Sequence, residues 1–395
     1  MGECAGRVLA QTIVNAPSLE LLAARLAEHY VAPPQATALD LVVSDRIALN
    51  RRFVLGPSVE MIALHGGEAN AEAALAARIT LTSGALAAML DDPTGFDPRS
   101  AASIALGGVC IEGSARLAAY WLQLLKRPSI EGRAALTRAR ERAPLALDAV
   151  AELHAAACCG NDDTWCVDAV AEALDSSTPL HLRQALKWPE IAWTLDDWRR
   201  RESSTVLRTN PANGKPQYVV DFIDALESES GSAQAGLDAD ALYTDGCLLP
   251  VAWEARFTMP VFPASVFGAA QLWFGRRRER ALVTGLHSDL ANSFLAQVHG
   301  RKRVRLYSPA QENNVYALDA FNTFRPCRVD AATPDLARFP RFAAARGVDA
   351  VLESGDLLVI PTGWFHCVWA LDNVLSISRF VSDETAATLA SHSHT

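Results

Sequence analysis

The chain has 395 residues, 50% hydrophobic and 21% charged, with a formal net charge of −9 and a pI near 5.5. That length exceeds one ordinary core and suggests roughly two or three domains. The acidic balance argues against a general nucleic-acid binder, which carries a strongly basic face, and no uncharged apolar run reaches the roughly 18 residues of a membrane span.

The first residues lack the basic-then-apolar order of a secretory signal. Met1-Gly2 opens no myristoylation motif, because Gly6 stands where Ser or Thr is required. The cysteines are scattered with no Cys-x-x-Cys pair, so neither a zinc ribbon nor a thioredoxin-like motif is supported. Reduced, buried thiols in a cytoplasmic protein are the simplest expectation.

In chain order, Pro17 and Ser18 open a helix over 15–30, with Leu19, Leu22 and Leu26 on one face. Leu39, Leu41 and Val43, then Ile47, Leu49, Phe53 and Leu55, suggest a strand pair turned near Ser44-Asp45. Val59, Met61 and Ala63 continue the period of two. A strand at Ala77-Arg-Ile-Thr-Leu-Thr precedes a short helix, Ala85–Leu90, capped by Ser83. Ile104–Ile111 reads as a strand and Ser114–Leu125 as an amphipathic helix.

This order, with Ala77–Leu90 and Val109–Leu125 carrying the match, resembles the sterol-carrier-protein-2-like domain. The resemblance implies an α+β domain over 1–127 enclosing a tunnel for a lipid-like ligand. An unrelated α+β domain with a filled core fits the same pattern, because periodicity does not separate a lined cavity from a packed one.

Residues 128–177 read as a helical connector, with Leu145, Leu147, Val150 and Leu153 on one helical face and His154 as a structural or exposed residue. From Pro179 the pattern turns to strands. Thr194 caps a helix with carboxylates in its first turn, Val206 begins a strand, and Val219–Leu226 is helical. Residues 383–395, with His392 and His394, read as a flexible tail.

Chemistry concentrates after Thr284. His287 and Asp289 are one side-chain period apart on a strand, so both leave the same face. His366 offers a third ligand. Two His and one carboxylate with open positions is the ligand set of non-haem Fe(II) oxygenases. Short antiparallel strands with ligands on separate strands fit a double-stranded β-helix. His299, beside Gly300, reads as a turn or surface residue.

The motifs Thr284-Gly-Leu-His-Ser-Asp, Gly300-Arg-Lys-Arg-Val-Arg-Leu-Tyr-Ser-Pro, Pro334–Phe342 and Gly355-Asp-Leu-Leu-Val-Ile-Pro-Thr-Gly-Trp-Phe-His resemble JmjC-domain hydroxylases of the cupin-8 group over about 178–382. The fold class implied is an α+β N-terminal domain followed by a mainly β jelly-roll (cupin, JmjC) domain with flanking helices. The resemblance implies Fe(II), 2-oxoglutarate and O₂, and oxygen insertion into an unactivated C–H bond. His287, Asp289 and His366 match the iron ligands, and Lys302 the partner of the distal carboxylate of 2-oxoglutarate. Thr284 and, through a looser match, Tyr243 would bond the same carboxylate. Gln271 and Trp273 would line the cavity. The family's Asn four residues after the metal carboxylate is Ser293 here, with Asn292 just before it. Either Ser293 replaces that Asn, or a local bulge brings Asn292 inward.

Arg276-Arg-Arg-Glu-Arg reads either as a solvated hairpin tip or as a basic lip recruiting an acidic substrate. The substrate implied is a protein or peptide side chain or a small molecule, with N-methyl demethylation as an alternative use of the same chemistry. A lipid carrier with a structural cupin half is the rival, and a homodimer is a compatible assembly.

Overall fold

Leu39, Leu41 and Val43 alternate with more polar neighbours, and in the computed structural model they are the fully buried face of the first strand. The structure describes residues 16–30, 36–64, 75–91, 109–154, 164–209, 215–228, 242–278 and 280–392. The expectations at 104–108, for cysteines 4, 158 and 159, and for His394 fall outside them. The chain divides into two units, Met1–Ser129 with Asp319–Asn322, and Ile130–Leu318 with Thr323–Thr395.

The first unit contains α1 (Ala16–His29), β1 (Thr37–Val43), β2 (Arg51–Leu55), β3 (Val59–Ala63), β4 (Leu75–Leu81), α2 (Ser83–Asp91), β5 (Val109–Gly113) and α3 (Ala115–Leu124). The sheet order is β3-β2-β1-β4-β5, with β1 and β4 parallel and the other pairs antiparallel. Leu19, Leu22 and Leu26 of α1 join Leu39, Leu41, Phe53 and Trp121 in one apolar core. Phe53 meets Trp121 edge-on, with ring centroids 5.1 Å apart. The cap of α2 is Thr82 rather than Ser83: Thr82 Oγ1 accepts from the Ala85 amide, while Ser83 donates its own amide and hydroxyl to Asp45. Within the same unit, Gln123 Nε2 donates to the Ala320 carbonyl.

The second unit runs α4 (Ile130–Arg142), β6 (Ala151–His154), α5 (Thr164–Asp175), β7 (Leu180–Arg183), α6 (Leu195–Arg201), β8 (Val206–Thr209), β9 (Pro216–Tyr218) and α7 (Val219–Glu227). The remaining strands are β10 (Cys247–Leu248), β11 (Gln271–Gly275), β12 (Thr284–Asp289), β13 (Asn292–His299), β14 (Lys302–Tyr307), β15 (Phe324–Pro326), β16 (Gly347–Leu352), β17 (Leu357–Ile360), β18 (Phe365–Ala370) and β19 (Val374–Val381). Helix α8 (Asp383–His392) follows. A seven-stranded sheet, β10-β11-β19-β13-β17-β7-β6, faces a five-stranded sheet, β15-β12-β18-β14-β16. Leu295, Leu358 and Ile360 from the first and Val304, Leu306, Val348, Ala350 and Val368 from the second fill one cluster between them. The other face of the large sheet packs Leu272, Phe274, Phe294, Ala296 and Ile377 against Phe222 and Ile223 of α7 and Trp198 of α6. Thr194 caps α6 with a full capping box to Asp197.

Two expectations give way here. Ala151–His154, read as part of a helical face, is strand β6, paired in parallel with β7 at the sheet edge, and this puts His154 on a strand. Leu145 is exposed, so the apparent helical stripe never formed a packed face. Residues 383–392, read as a flexible tail, are helical. Asp383 accepts hydrogen bonds from Thr362 Oγ1 and Asn292 Nδ2, Ser382 Oγ accepts from the Thr385 amide, and Ala386 is buried.

Candidate active site

Residues paired directly across a ladder share a face, so register fixes which side chains point between the sheets. His287 pairs with His366, Thr284 with Val368, Leu306 with His366, and Lys302 with Ala370. Val304, Leu306 and Val368 lie in the inter-sheet cluster. His287, His366, Thr284 and Lys302 therefore all face inward. Thr284 and His287 are three residues apart and would oppose each other on a regular strand. The register shift between them, at Gly285-Leu286, turns both to the same side.

The three expected ligands converge. Their ligand atoms all lie within 4.8 Å of one another. Asp289 Oδ1 is 3.7 Å from His287 Nε2 and Oδ2 is 3.8 Å from His366 Nε2. The Nδ1 of His287 is 2.8 Å from the Gly285 carbonyl and that of His366 is 3.1 Å from the Trp364 carbonyl. A carbonyl only accepts, so each Nδ1 carries the proton and each Nε2 presents a bare lone pair toward Asp289. These two carbonyl contacts fix the tautomer a divalent metal requires. Burial, with the neighbouring His287, pushes His366 down to about 3. Burial also pushes the Asp289 carboxyl up against the pull of His287. Two imidazole Nε2 atoms and one carboxylate brought together in this way fit a divalent cation such as iron.

His366 is held by its surroundings. Trp364 Nε1 donates to the Ser177 carbonyl, and the Thr362 amide donates to Asn292 Oδ1. Asn292 also donates Nδ2 to Val381 and Asp383, so both ends of its amide are used structurally. Along β13, Phe294 and Ala296 lie in the outer core, whereas Leu295 lies between the sheets. Alternation therefore turns Ser293 inward and Asn292 outward.

Four rows of sheet from the ligands, Lys302 is 1% exposed. Its Nζ lies 5.6 Å from the Tyr243 ring centroid and 6.0 Å from that of Trp273. Among the described residues no carboxylate pairs with it, and burial pushes its ammonium down to about 7. The Tyr243 hydroxyl and Trp273 Nε1 are buried without hydrogen-bond partners. The Thr284 side chain adjoins the Tyr243 hydroxyl, and burial raises that hydroxyl well above its ordinary value. A buried cation surrounded by unsatisfied donors is the environment a carboxylate would complete. The residues thus fit an anion such as the distal carboxylate of 2-oxoglutarate.

Gln271 and Trp273 pair with Ser378 and Ser376 on β19, which in turn pair with Leu295 and Gln297, so both expected lining residues do face inward. The sequence reading missed Gly275. A Cβ there would meet Tyr243 Cδ2 at 2.2 Å, so only glycine lets Tyr243 lie against β11. It also missed Phe324 and Pro326, which pair with Asp289 and His287. Arg276 sends Nη2 to the Ser228 carbonyl at 3.4 Å, and the Arg278 amide donates to Ala370. His299 is half-buried at the end of β13, with Nδ1 3.2 Å from the Trp193 carbonyl.

Comparison with known proteins agrees with this geometry. The family model described as a cupin-like domain matches residues 202–384. Residues 202–384, in the second unit, are thus similar to a cupin-like domain. Over 142 residues the chain is 34% identical to lysine-specific demethylase 8 of Xenopus tropicalis, covering 36% of this chain and 29% of that protein. It is 42% identical over 115 residues to tRNA wybutosine-synthesizing protein 5 of Gallus gallus, covering 29% of this chain and 31% of the relative. JmjC domain-containing protein D of Dictyostelium discoideum is 36% identical over 106 residues, or 27% of this chain and 23% of its own. The chain thus matches less than a third of the length of these relatives. No described helix is long and apolar enough to cross a membrane.

Proposed function

We propose that the protein is an Fe(II)- and 2-oxoglutarate-dependent oxygenase that hydroxylates an unactivated C–H bond of a protein side chain or small molecule. One observation carries the reading: a buried, uncompensated Lys302 shares an inward face with two bare imidazole Nε2 atoms and a carboxylate. When bound, iron with 2-oxoglutarate and O₂ supplies the oxidising power, and 2-oxoglutarate leaves as succinate and CO₂. His287, Asp289 and His366 would hold the metal. Lys302 neutralises the distal carboxylate of the cosubstrate, with Thr284 and Tyr243 as hydroxyl donors. Ser293, turned inward where the family has Asn, offers a shorter donor. Gln271 and Trp273 line the cavity and keep water from the cosubstrate.

N-methyl demethylation is the second use of the same site. Its support is the name of a relative, lysine-specific demethylase 8. Another relative is named for tRNA wybutosine synthesis, so nucleosides belong in a substrate screen despite the acidic charge of this chain. The lipid-carrier reading rests on the sterol-carrier-like pattern alone, and native mass spectrometry for a co-purifying lipid tests it. The central test is a succinate-release screen of peptides, methylated peptides, nucleosides and metabolites. Fe(II)-dependent succinate release coupled to one substrate class, and lost in His287→Ala, is the expected result. Iron loading without 2-oxoglutarate consumption under any condition would count against an oxygenase.

A further inference from the structure

The inward face of the small sheet has two ends, and they differ in chemistry. Toward one end, four residues along β18 from His366, lies Ala370 with Lys302 beside it. At about 3.4 Å per residue this is roughly 14 Å. Lys302, Tyr243 and Trp273 are all at this end, and the Tyr243 hydroxyl and Trp273 Nε1 are unsatisfied there.

In the opposite direction the sheet ends on β15. Phe324 pairs with Asp289, about 7 Å beyond His287 by the same spacing, and Pro326 pairs with His287 itself. Both side chains therefore share the ligand face. The Phe324 ring stands edge-to-face on His287, at 5.7 Å and 88°. Phe324 is only half-buried, so it is not a core residue; it is an aromatic side chain partly open to solvent beside the ligands. Its neighbour Arg325 points to the other face, where Glu312 and the Leu318 carbonyl hold it and so anchor the strand.

Resting on the oxygenase reading, we infer that Phe324, backed by Pro326, is the specificity-determining wall of the substrate side. It bounds the space beside His287 and Asp289 on the side away from the Lys302 end. The group brought to the metal meets hydrocarbon there rather than charge. The edge contact also limits rotation of the His287 ring, so the wall and the ligand are set together.

Size selection by exogenous ligands tests this without a known substrate. The full chain is loaded with Co(II) and 2-oxoglutarate, and binding of azide and of 4-phenylimidazole is followed by the Co(II) absorption bands. In the wild type, azide binds and 4-phenylimidazole is excluded or weak. Phe324→Ala should improve 4-phenylimidazole affinity relative to azide by tenfold or more. Phe324→Leu, which keeps an apolar residue in β15, should shift the ratio the same way by a smaller factor. A ratio unchanged within twofold in both variants, in protein that still shows the Co(II) and 2-oxoglutarate bands, overturns the role of Phe324 and leaves the oxygenase reading standing. A wild type that binds neither Co(II) nor 2-oxoglutarate overturns both.

Discussion

Each unit buries a charge on a strand, and the two are treated differently. Asp40 on β1 is 2% exposed and receives Arg52 through two hydrogen bonds, 2.7 and 3.0 Å long, with Arg78 at 3.6 Å. Lys302 on β14 is 1% exposed, and among the described residues it meets the ring faces of Tyr243 and Trp273, whose own donors are unsatisfied. The first charge is satisfied within the fold. The second is not, and an unsatisfied buried charge is a cost that a structural role does not explain. The difference separates a residue that serves the fold from one that serves a ligand.

Substitution breaks the comparison most sharply at the metal. His366→Ala should abolish Fe(II)-dependent turnover, measured as succinate release, while the unfolding midpoint of the metal-free protein changes far less. Next in size is Asp40→Asn. It takes away the buried carboxylate charge that receives two hydrogen bonds from Arg52, and should destabilise the first unit by about 3 kcal/mol, measured by denaturant unfolding. Lys302→Met should do the opposite. Removing an uncompensated buried charge should stabilise the ligand-free protein by about 1 to 4 kcal/mol. The same change should weaken 2-oxoglutarate binding by about thirtyfold or more, since about 2 kcal/mol or more is lost when one partner of a buried charge pair is removed. Gly275→Ala forces Tyr243 away from β11 and should weaken 2-oxoglutarate several-fold with the metal affinity intact, read by titration.

The smallest effect is a pH dependence. The folded, ligand-free Lys302 releases its proton near pH 7, whereas the unfolded chain holds it to near 10.5. Between those values the unfolded state carries more protons, so this group makes stability rise with pH. 2-Oxoglutarate binds the charged form, so binding above pH 7 takes up a proton. Its affinity should fall as pH rises, by up to about tenfold per unit. Calorimetry in buffers of different ionisation enthalpy measures the uptake, and Lys302→Met should abolish it.

Much of the site was legible in the sequence because it is local. His287 and Asp289 are one strand period apart, and the Pro361–His366 stretch places its ligand at a strand start. What was not legible depends on partners far along the chain. Nothing near Gly285 announces the register shift that lets Thr284 face inward with His287. Asn292 and Ser293 could be separated only by the parity of Phe294 and Leu295 against two different cores. Leu147, Val150 and Leu153 suit a helical stripe as well as a strand, and parallel pairing with β7 decided the outcome. Phe324 lies in a three-residue strand, too short for any periodic signal. Its place beside the ligands follows from pairing with β12 alone.

The most direct measurement is an anaerobic titration of the full chain with Fe(II) and then 2-oxoglutarate, followed by visible absorption. A charge-transfer band should appear only when both are present, vanish in His287→Ala, and in Lys302→Met require far more 2-oxoglutarate to develop. No band in the wild type, or one indifferent to Lys302, would contradict the claim that this buried lysine awaits the cosubstrate of a metal held by His287, Asp289 and His366.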